Sequence, residues 1–335
     1  MKNTIKDVAE VAGVSVKTVS RVLNDEKYVS ADLRQRVEGA IARLNFRPSL
    51  VARMLRRQRS FQIALIYDNP NPYFVYNVQE GVRACCAERG YRMLVQPCSI
   101  HSPTLVDDLG SLIEQTHLDG LILTPPVTDS LPALEELGRR GIRHVRIAPG
   151  TNLMATPSVH IDNVAAADEM TRHLLDLGHR RIGFVVGHPA YITSNQRLLG
   201  YRDALRRAGV AYDPELVRPG QFSVQSGVGA AEALFALANA PTAIFASNDD
   251  MAAGVLATAL RRGMTVPDDL SIAGFDDTEL AQSVWPPLTT IHQPFRDIGY
   301  AAADVLLSED GNDGPERRRL EYRLVVREST AAPRS

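Results

Sequence analysis

Past residue 60 the chain repeats one pattern: short apolar runs alternate with segments long enough to be helices. Runs at Gln62 to Tyr67, Tyr91 to Val95, Gly120 to Leu123 and Val145 to Ile147 form one series. Runs at Arg181 to Val186, Thr242 to Phe245 and Leu270 to Phe275 form a second. A strand that is apolar throughout is buried on both faces, which a parallel sheet covered by helices provides. The pattern therefore predicts βαβ units wound into two lobes. Helices are expected at Ala165 to Leu177, Ser194 to Arg207, Gln225 to Ala238 and Asp249 to Arg262, with Gly178, Gly209 and Gly263 placed to cap their ends. Two such lobes leave a cleft at the carboxyl ends of the strands, where wound sheets bind ligands.

The first 60 residues are built differently. They carry 4 Lys and 9 Arg against 6 acidic side chains, a net +7, whereas the remainder carries 24 Arg against 33 acids, a net −9. A basic head on an acidic body is the layout of a polyanion-binding module joined to a part with another task. Within the head, Ile5, Val8, Ala9 and Ala12 repeat at the spacing of one helix face, with Thr4 as cap and Asp7 in the first turn. Gly13 permits a left-handed turn, Val14 adds a core residue, and Ser15 caps a second helix through Leu23. On that helix Val19, Val22 and Leu23 face inward, leaving Val16, Lys17, Ser20 and Arg21 to meet base edges in a major groove. A third helix from Ala31 to Leu44, with Leu33, Val37, Ile41 and Leu44 as its stripe, closes the core.

Thr4-Ile5-Lys6-Asp7-Val8-Ala9, Ala12-Gly13-Val14-Ser15 and Thr18-Val19-Ser20-Arg21-Val22-Leu23-Asn24 together resemble the headpiece of the LacI/GalR family of bacterial repressors. The resemblance continues through Gly178 to Gly183, Arg197 to Tyr201, Ser247 to Ala252, Gly274 to Asp277 and Pro286 to Ile291, and so covers nearly the whole chain. It implies a small all-α helix-turn-helix headpiece over 1–46, a hinge over 47–60, and a two-lobed, periplasmic-binding-protein-like α/β effector domain. The N-terminal lobe would take 61–161 with 291–320, and the C-terminal lobe 162–290 with 321–335. DNA contact is implied for Thr4, Ser15, Val16, Lys17, Thr18, Ser20, Arg21 and Asn24. In the hinge it is implied for Ser49, Ala52, Arg53, Leu55 and Arg56. The hinge would order on operator DNA, paired with that of a dimer mate, and push Leu55 into the minor groove, where the cost of unstacking a base step is offset by added contact. The last residues, 328–335, show no leucine heptad, so a homodimer is expected rather than a tetramer.

Ligand-contacting candidates lie just after strands: Tyr73 and Phe74 after the first, then Thr193, Arg197, Asn248, Asp249 and Asp276. Short carboxylates and amides with an arginine both donate and accept, as sugar hydroxyls require, and aromatic rings cover the apolar side of a sugar. The resemblance implies effector contact for Tyr73, Phe74, Thr193, Arg197, Phe222, Asn248 and Asp276. Other roles compete: lobe packing for Tyr73 and Phe74, helix capping for Asn248 and Asp249, an ion pair for Arg197 and Asp276. Trp285 reads as cleft rim or core beside Pro286. Many sugar-responsive relatives carry an acid after the fourth strand; here Arg146 stands in that run and reads as a surface arginine.

No catalytic motif, P-loop or dinucleotide fingerprint occurs, so neither an enzyme nor a cofactor is expected. His173, His179 and His188 are poorly spaced for a metal, and Cys85, Cys86 and Cys98 offer no metal or disulfide framework. No apolar stretch approaches membrane-spanning length, which predicts a cytoplasmic protein. The expected function is a repressor of carbohydrate uptake or catabolism genes, switched by a sugar-like effector. A purine or nucleoside effector is the alternative, as is a sugar-binding protein without a regulatory role.

Overall fold

In a computed structural model, residues 3–23, 26, 28–46, 59–151, 156–308 and 316–334 are described. Two compact units divide the chain, Met1–Ser60 and Phe61–Ser335.

The first unit holds α1 (Ile5–Ala12), α2 (Val16–Leu23) and α3 (Ala31–Leu44), with the bounds expected from capping and period. Thr4 and Asp7 form a reciprocal capping box, and Gly13 takes the left-handed φ of 63° that ends α1. Val8, Val19 and Val37, one from each helix, are fully buried together. The core also takes in Phe46, and Ala40 is buried on α3 where Leu33, Ile41 and Leu44 are only half-buried. Arg36 of α3 donates to the carbonyls of Ala12 (2.8 Å) and Gly13 (3.1 Å), satisfying the exposed end of α1 and locking the turn to the third helix.

The second unit contains two parallel sheets. Six strands in the order β11-β5-β4-β3-β1-β2 form one, comprising β1 (Gln62–Tyr67), β2 (Arg92–Pro97), β3 (Gly120–Leu123), β4 (His144–Ile147), β5 (Ser158–His160) and β11 (Arg317–Arg319). Alternate residues of β1 enter separate cores. Ile63 and Leu65 pack beneath α4 (Pro72–Arg89) and α12 (Phe295–Leu307), whereas Ala64 and Ile66 pack beneath α5 (Leu105–Thr116) and α6 (Leu131–Arg139). Four strands in the order β7-β6-β8-β9 form the other sheet: β6 (Ile182–Val186), β7 (Val217–Pro219), β8 (Ala243–Ala246) and β9 (Ser271–Ala273). Its faces carry α7 (Asn163–Asp176) with α8 (Ile192–Arg207), and α9 (Val224–Phe235) with α10 (Asp249–Arg261) and the short α11 (Glu279–Ser283). An antiparallel pair, β10 (Thr290–His292) with β12 (Arg323–Val325), lies where the chain passes between the sheets. Ser329 then accepts from the Ile272 N–H of β9 at 2.8 Å, tying the C-terminal segment to the second sheet.

Helix pairs close through glycine. A Cβ on Gly227 of α9 would fall 2.2 Å from the Met251 carbonyl of α10, and one on Gly254 of α10 would fall 2.2 Å from the Val224 carbonyl of α9. Gly81 and Gly299 make the same reciprocal approach between α4 and α12. Among the described residues no helix is long and apolar enough to cross a membrane, and no group of three or more His, Cys, Asp or Glu could hold a metal.

Candidate nucleic-acid interface and ligand cleft

On the first unit, burying Val19 and Val22 turns the opposite side of α2 outward. Ser15, Val16, Lys17 and Arg21 are exposed there, and Thr18 and Ser20 are half-buried. Ser15 is held as cap by accepting the Thr18 N–H at 3.1 Å, so α2 starts with an apolar side chain and an ammonium facing outward. Thr4 is exposed at the start of α1. Arg21 lies 3.6 Å from Glu26, a solvent-screened pair. Asn24, Ser49, Ala52, Arg53, Leu55 and Arg56 lie outside the described residues.

On the second unit the cleft is built where strands end and helices begin. Asn71 caps α4, Tyr191 precedes α8 and Asn248 caps α10, and all three line one recess. Three helix N-termini therefore meet it, supplying positive potential to the oxygens of a bound molecule. Of the residues expected at the ligand, the structure gathers Phe74, Thr193, Arg197, Phe222, Asn248 and Asp276 around this cavity of about 70 Å³. It adds Asn69, Asn163, Tyr191, Gln293 and Phe295, which sequence reasoning missed. Asn163 and Gln293 follow crossings between lobes rather than wound strands, and Tyr191 ends a loop, so no strand-end signal marked them.

Arg197 is 5% exposed and held on three sides. Its Nε donates to Asn163 at 3.0 Å, a terminal nitrogen donates to the Ser247 carbonyl, and its guanidinium carbon lies 3.7 Å from the centre of the Phe275 ring. Asp276 faces it at 3.8 Å and accepts from Gln293 at 2.7 Å. Burial pushes the Asp276 carboxyl up to about 6, against the opposing pull of Arg197 and Gln293. Phe222 (φ 55°), Ala148 (φ 46°) and Asp276 (φ 116°) all adopt the left-handed region at the cavity wall, conformations that side chains rarely hold unless the surroundings impose them. Asn248 accepts the Met251 N–H at 2.9 Å as cap, yet its amide nitrogen also reaches the Phe222 carbonyl (3.2 Å), so capping leaves it on the wall. Asn71 and Asn248 both donate to Asp250 at 3.0 Å, joining the starts of α4 and α10 across the cleft.

Four expectations are corrected. Asp249 does not line the recess: it is fully buried, and its carboxylate accepts from Thr290 (2.7 Å) and from the Thr278 N–H (2.7 Å) and hydroxyl (3.0 Å). Burial and the nearby Asp276 charge push it up to about 8. Tyr73 packs edge-on to Phe295 and reaches the Asp277 carbonyl at 3.4 Å, leaving the wall to Phe74. Trp285 is 79% exposed, so of its two expected places, cleft rim or core, the core is excluded. Arg146 is no surface residue, being fully buried. It donates to the carbonyls of Thr128 and Thr151 at 2.7 Å each and to Asp129 at 2.8 Å, while Asp129 accepts from the Gly150 and Thr151 N–H groups at 3.1 Å. The pair organises the loop that carries Ala148 to the cavity.

A family model described as bacterial regulatory proteins of the lacI family matches residues 4–49, and one described as a periplasmic binding protein-like domain matches residues 171–330. The chain is 36% identical over 338 residues to the HTH-type transcriptional regulator DegA of Bacillus subtilis (strain 168), covering 99% of each. Among solved structures, a lac repressor dimer bound to operator and the anti-inducer ONPF shares 29% identity at a TM-score of 0.79, over 99% of this chain and 100% of that one. A complex of the transcriptional regulator CelR with cellobiose shares 31% identity at a TM-score of 0.74, over 98% and 100%.

Proposed function

Because this chain belongs to the LacI family of bacterial regulatory proteins, and so is a DNA-binding transcriptional regulator, we propose that it represses carbohydrate genes in response to a sugar. One observation carries the sugar assignment. Arg197, Asn248, Asp276 and Gln293 bring donors and acceptors to the wall of the recess, and Phe74, Tyr191, Phe222 and Phe295 bring rings to the same wall. Polyols need both at once. Small-molecule closure of the cleft is a coupling between sites, of a kind typically worth about 1–3 kcal/mol in operator affinity. In this reading Val16, Lys17, Ser20 and Arg21 read each half of a palindrome and Thr4, Ser15 and Thr18 seat the headpiece. A homodimer supplies the second half, Leu55 enters the minor groove between the halves, and Ser49, Ala52, Arg53 and Arg56 are the other hinge contacts to DNA. The aromatic rings favour a second reading, a purine or nucleoside stacked on Tyr191 or Phe222.

The test is selection of genomic fragments by the purified protein at about 0.15 M salt, where specific sites stand above screened background binding. One enriched palindrome beside transport or glycosidase genes, released or strengthened by a sugar, is the expected result. A palindrome beside nucleotide genes that responds to a nucleoside would establish the second reading, and no enrichment with any added ligand would overturn both.

A further inference from the structure

Arg146 and Asp129 hold more than each other. Asp129 takes Arg146 at 2.8 Å and accepts the Gly150 N–H with both oxygens at 3.1 Å, the Thr151 N–H at 3.1 Å and the Thr151 hydroxyl at 2.9 Å. Arg146 also donates to the Thr151 carbonyl at 2.7 Å, so the turn is gripped through both its N–H groups and a carbonyl. The residue fixed in this way is Gly150, in the loop that follows β4 of the first sheet. Against it stands Ile192, the first residue of α8 on the second sheet. A Cβ on Gly150 would fall 2.0 Å from the Ile192 Cγ2 and 2.3 Å from its Cβ, whereas carbon atoms pack at about 3.5–4.0 Å. Turning the Ile192 side chain cannot relieve the second contact, because Cβ does not move with χ1. Two hydrogen bonds join the same two lobes, from the Tyr191 hydroxyl to the Asp68 carbonyl at 2.9 Å and from Asn71 to Asp250 at 3.0 Å.

We infer that Arg146, Asp129 and Gly150 form a closure stop for the cleft. The clamp denies the loop any retreat, and the missing side chain lets Ile192 come in to this depth. How far the lobes close is then set by these residues and not by the ligand alone. A side chain at position 150 must hold the lobes apart by about 1.5–2 Å, the difference between an ordinary carbon contact and the 2.0 Å approach. Arg146 and Asp129 are positioning residues here, acting through Gly150. The stop deepens the closure coupling proposed above and rests on it only for its effect on DNA.

Spin labels on the full chain read the separation of the lobes. Leu131 on α6 and Leu199 on α8 are exposed and can be replaced by cysteine for labelling, with Cys98→Ser added; Cys85 and Cys86 are buried. Excess unlabelled chain restricts the measurement to distances within one molecule. Without ligand, Gly150→Ala should lengthen the mean distance by about 1.5–2 Å or more. Adding Ile192→Gly, which removes both clashing atoms, should return it to the parent value. Adding Arg146→Met instead lets the loop yield and should return most of it, a non-additive response expected only of coupled residues. A parent distance in Gly150→Ala, or a shift that survives Ile192→Gly, overturns the stop. A shift undiminished by Arg146→Met removes the clamp from it. On the selected palindrome, Gly150→Ala should change ligand-free operator affinity by about 5–150-fold. A lengthened distance with parent operator affinity overturns the closure coupling and leaves the stop standing.

Discussion

Arg197 and Asp276 face each other at 3.8 Å, the outer limit of an ion pair, and both are buried. Arg197 gives two of its five donors to Asn163 and Ser247, and Asp276 has one oxygen on Gln293. The charges thus hold each other loosely enough for a ligand hydroxyl to bridge them. Replacing one member of such a buried hydrogen-bonded set costs about 2–5 kcal/mol of binding. Asp276→Asn should therefore weaken the effector at least about tenfold by calorimetry. Operator affinity without effector should stay at the parent value, and an unchanged effector affinity would count against this residue.

Asp249 makes stability depend on pH. Its carboxyl titrates near 8 when folded against an ordinary 3.8, so between those values the folded chain binds more protons than the unfolded one. This group's contribution is then fully present at low pH and declines as pH rises toward 8. Urea unfolding at pH 5, 6.5 and 8 should show Asp249→Asn gaining on the parent as pH rises. Parallel stabilities across that range would refute the shift.

Arg146→Met strips Asp129 of its charge partner and Thr128 and Thr151 of a donor. Breaking a buried pair by removing one partner costs about 3–5 kcal/mol. Chemical denaturation should show a loss of that size, and a loss under about 1 kcal/mol would mean the loop does not depend on the clamp.

Two glycines on α9 should respond with opposite signs. Gly227→Ala drives a Cβ into the Met251 carbonyl and should destabilise by about 1–3 kcal/mol. At Gly229 a Cβ meets open space, so Gly229→Ala should stabilise by about 0.5–1 kcal/mol. Equal effects would show that the α9 and α10 contact tolerates separation.

Lys17 is exposed on the outward side of α2. Lys17→Ala should relax base preference within each half-site, by about 1–3 kcal/mol at one position. An unchanged selected motif would leave Lys17 without a reading role.

Local signals read most faithfully. Caps, a left-handed turn and the helical period coincide in residues 4–44, so α1, α2 and α3 were legible to the residue. Strands β1 and β3 were likewise legible because apolar runs end where their burial ends. What eluded the sequence depends on distant partners. Arg146 looks like any charged residue until Asp129, 17 positions away, is folded beside it. Asp249 sits at a strand end like a ligand residue, but Thr278 and Thr290 occupy its oxygens. The strand Arg317-Arg318-Arg319 has no apolar pattern to betray it, being the edge of a sheet whose other strands carry the core.

That edge strand and α12 impose an order on assembly. The first sheet needs 317–319 at its margin and 295–307 over its face, so the half that begins first along the chain stays incomplete until most of the second has been made. Its β1 to β5 must wait, with one apolar face covered only by α4, while the intervening residues 163–289 gather most of the second sheet and its helices from near neighbours. During synthesis the later segment is the one free to close early, and the earlier one is the part exposed to misassembly if translation stalls before residue 295.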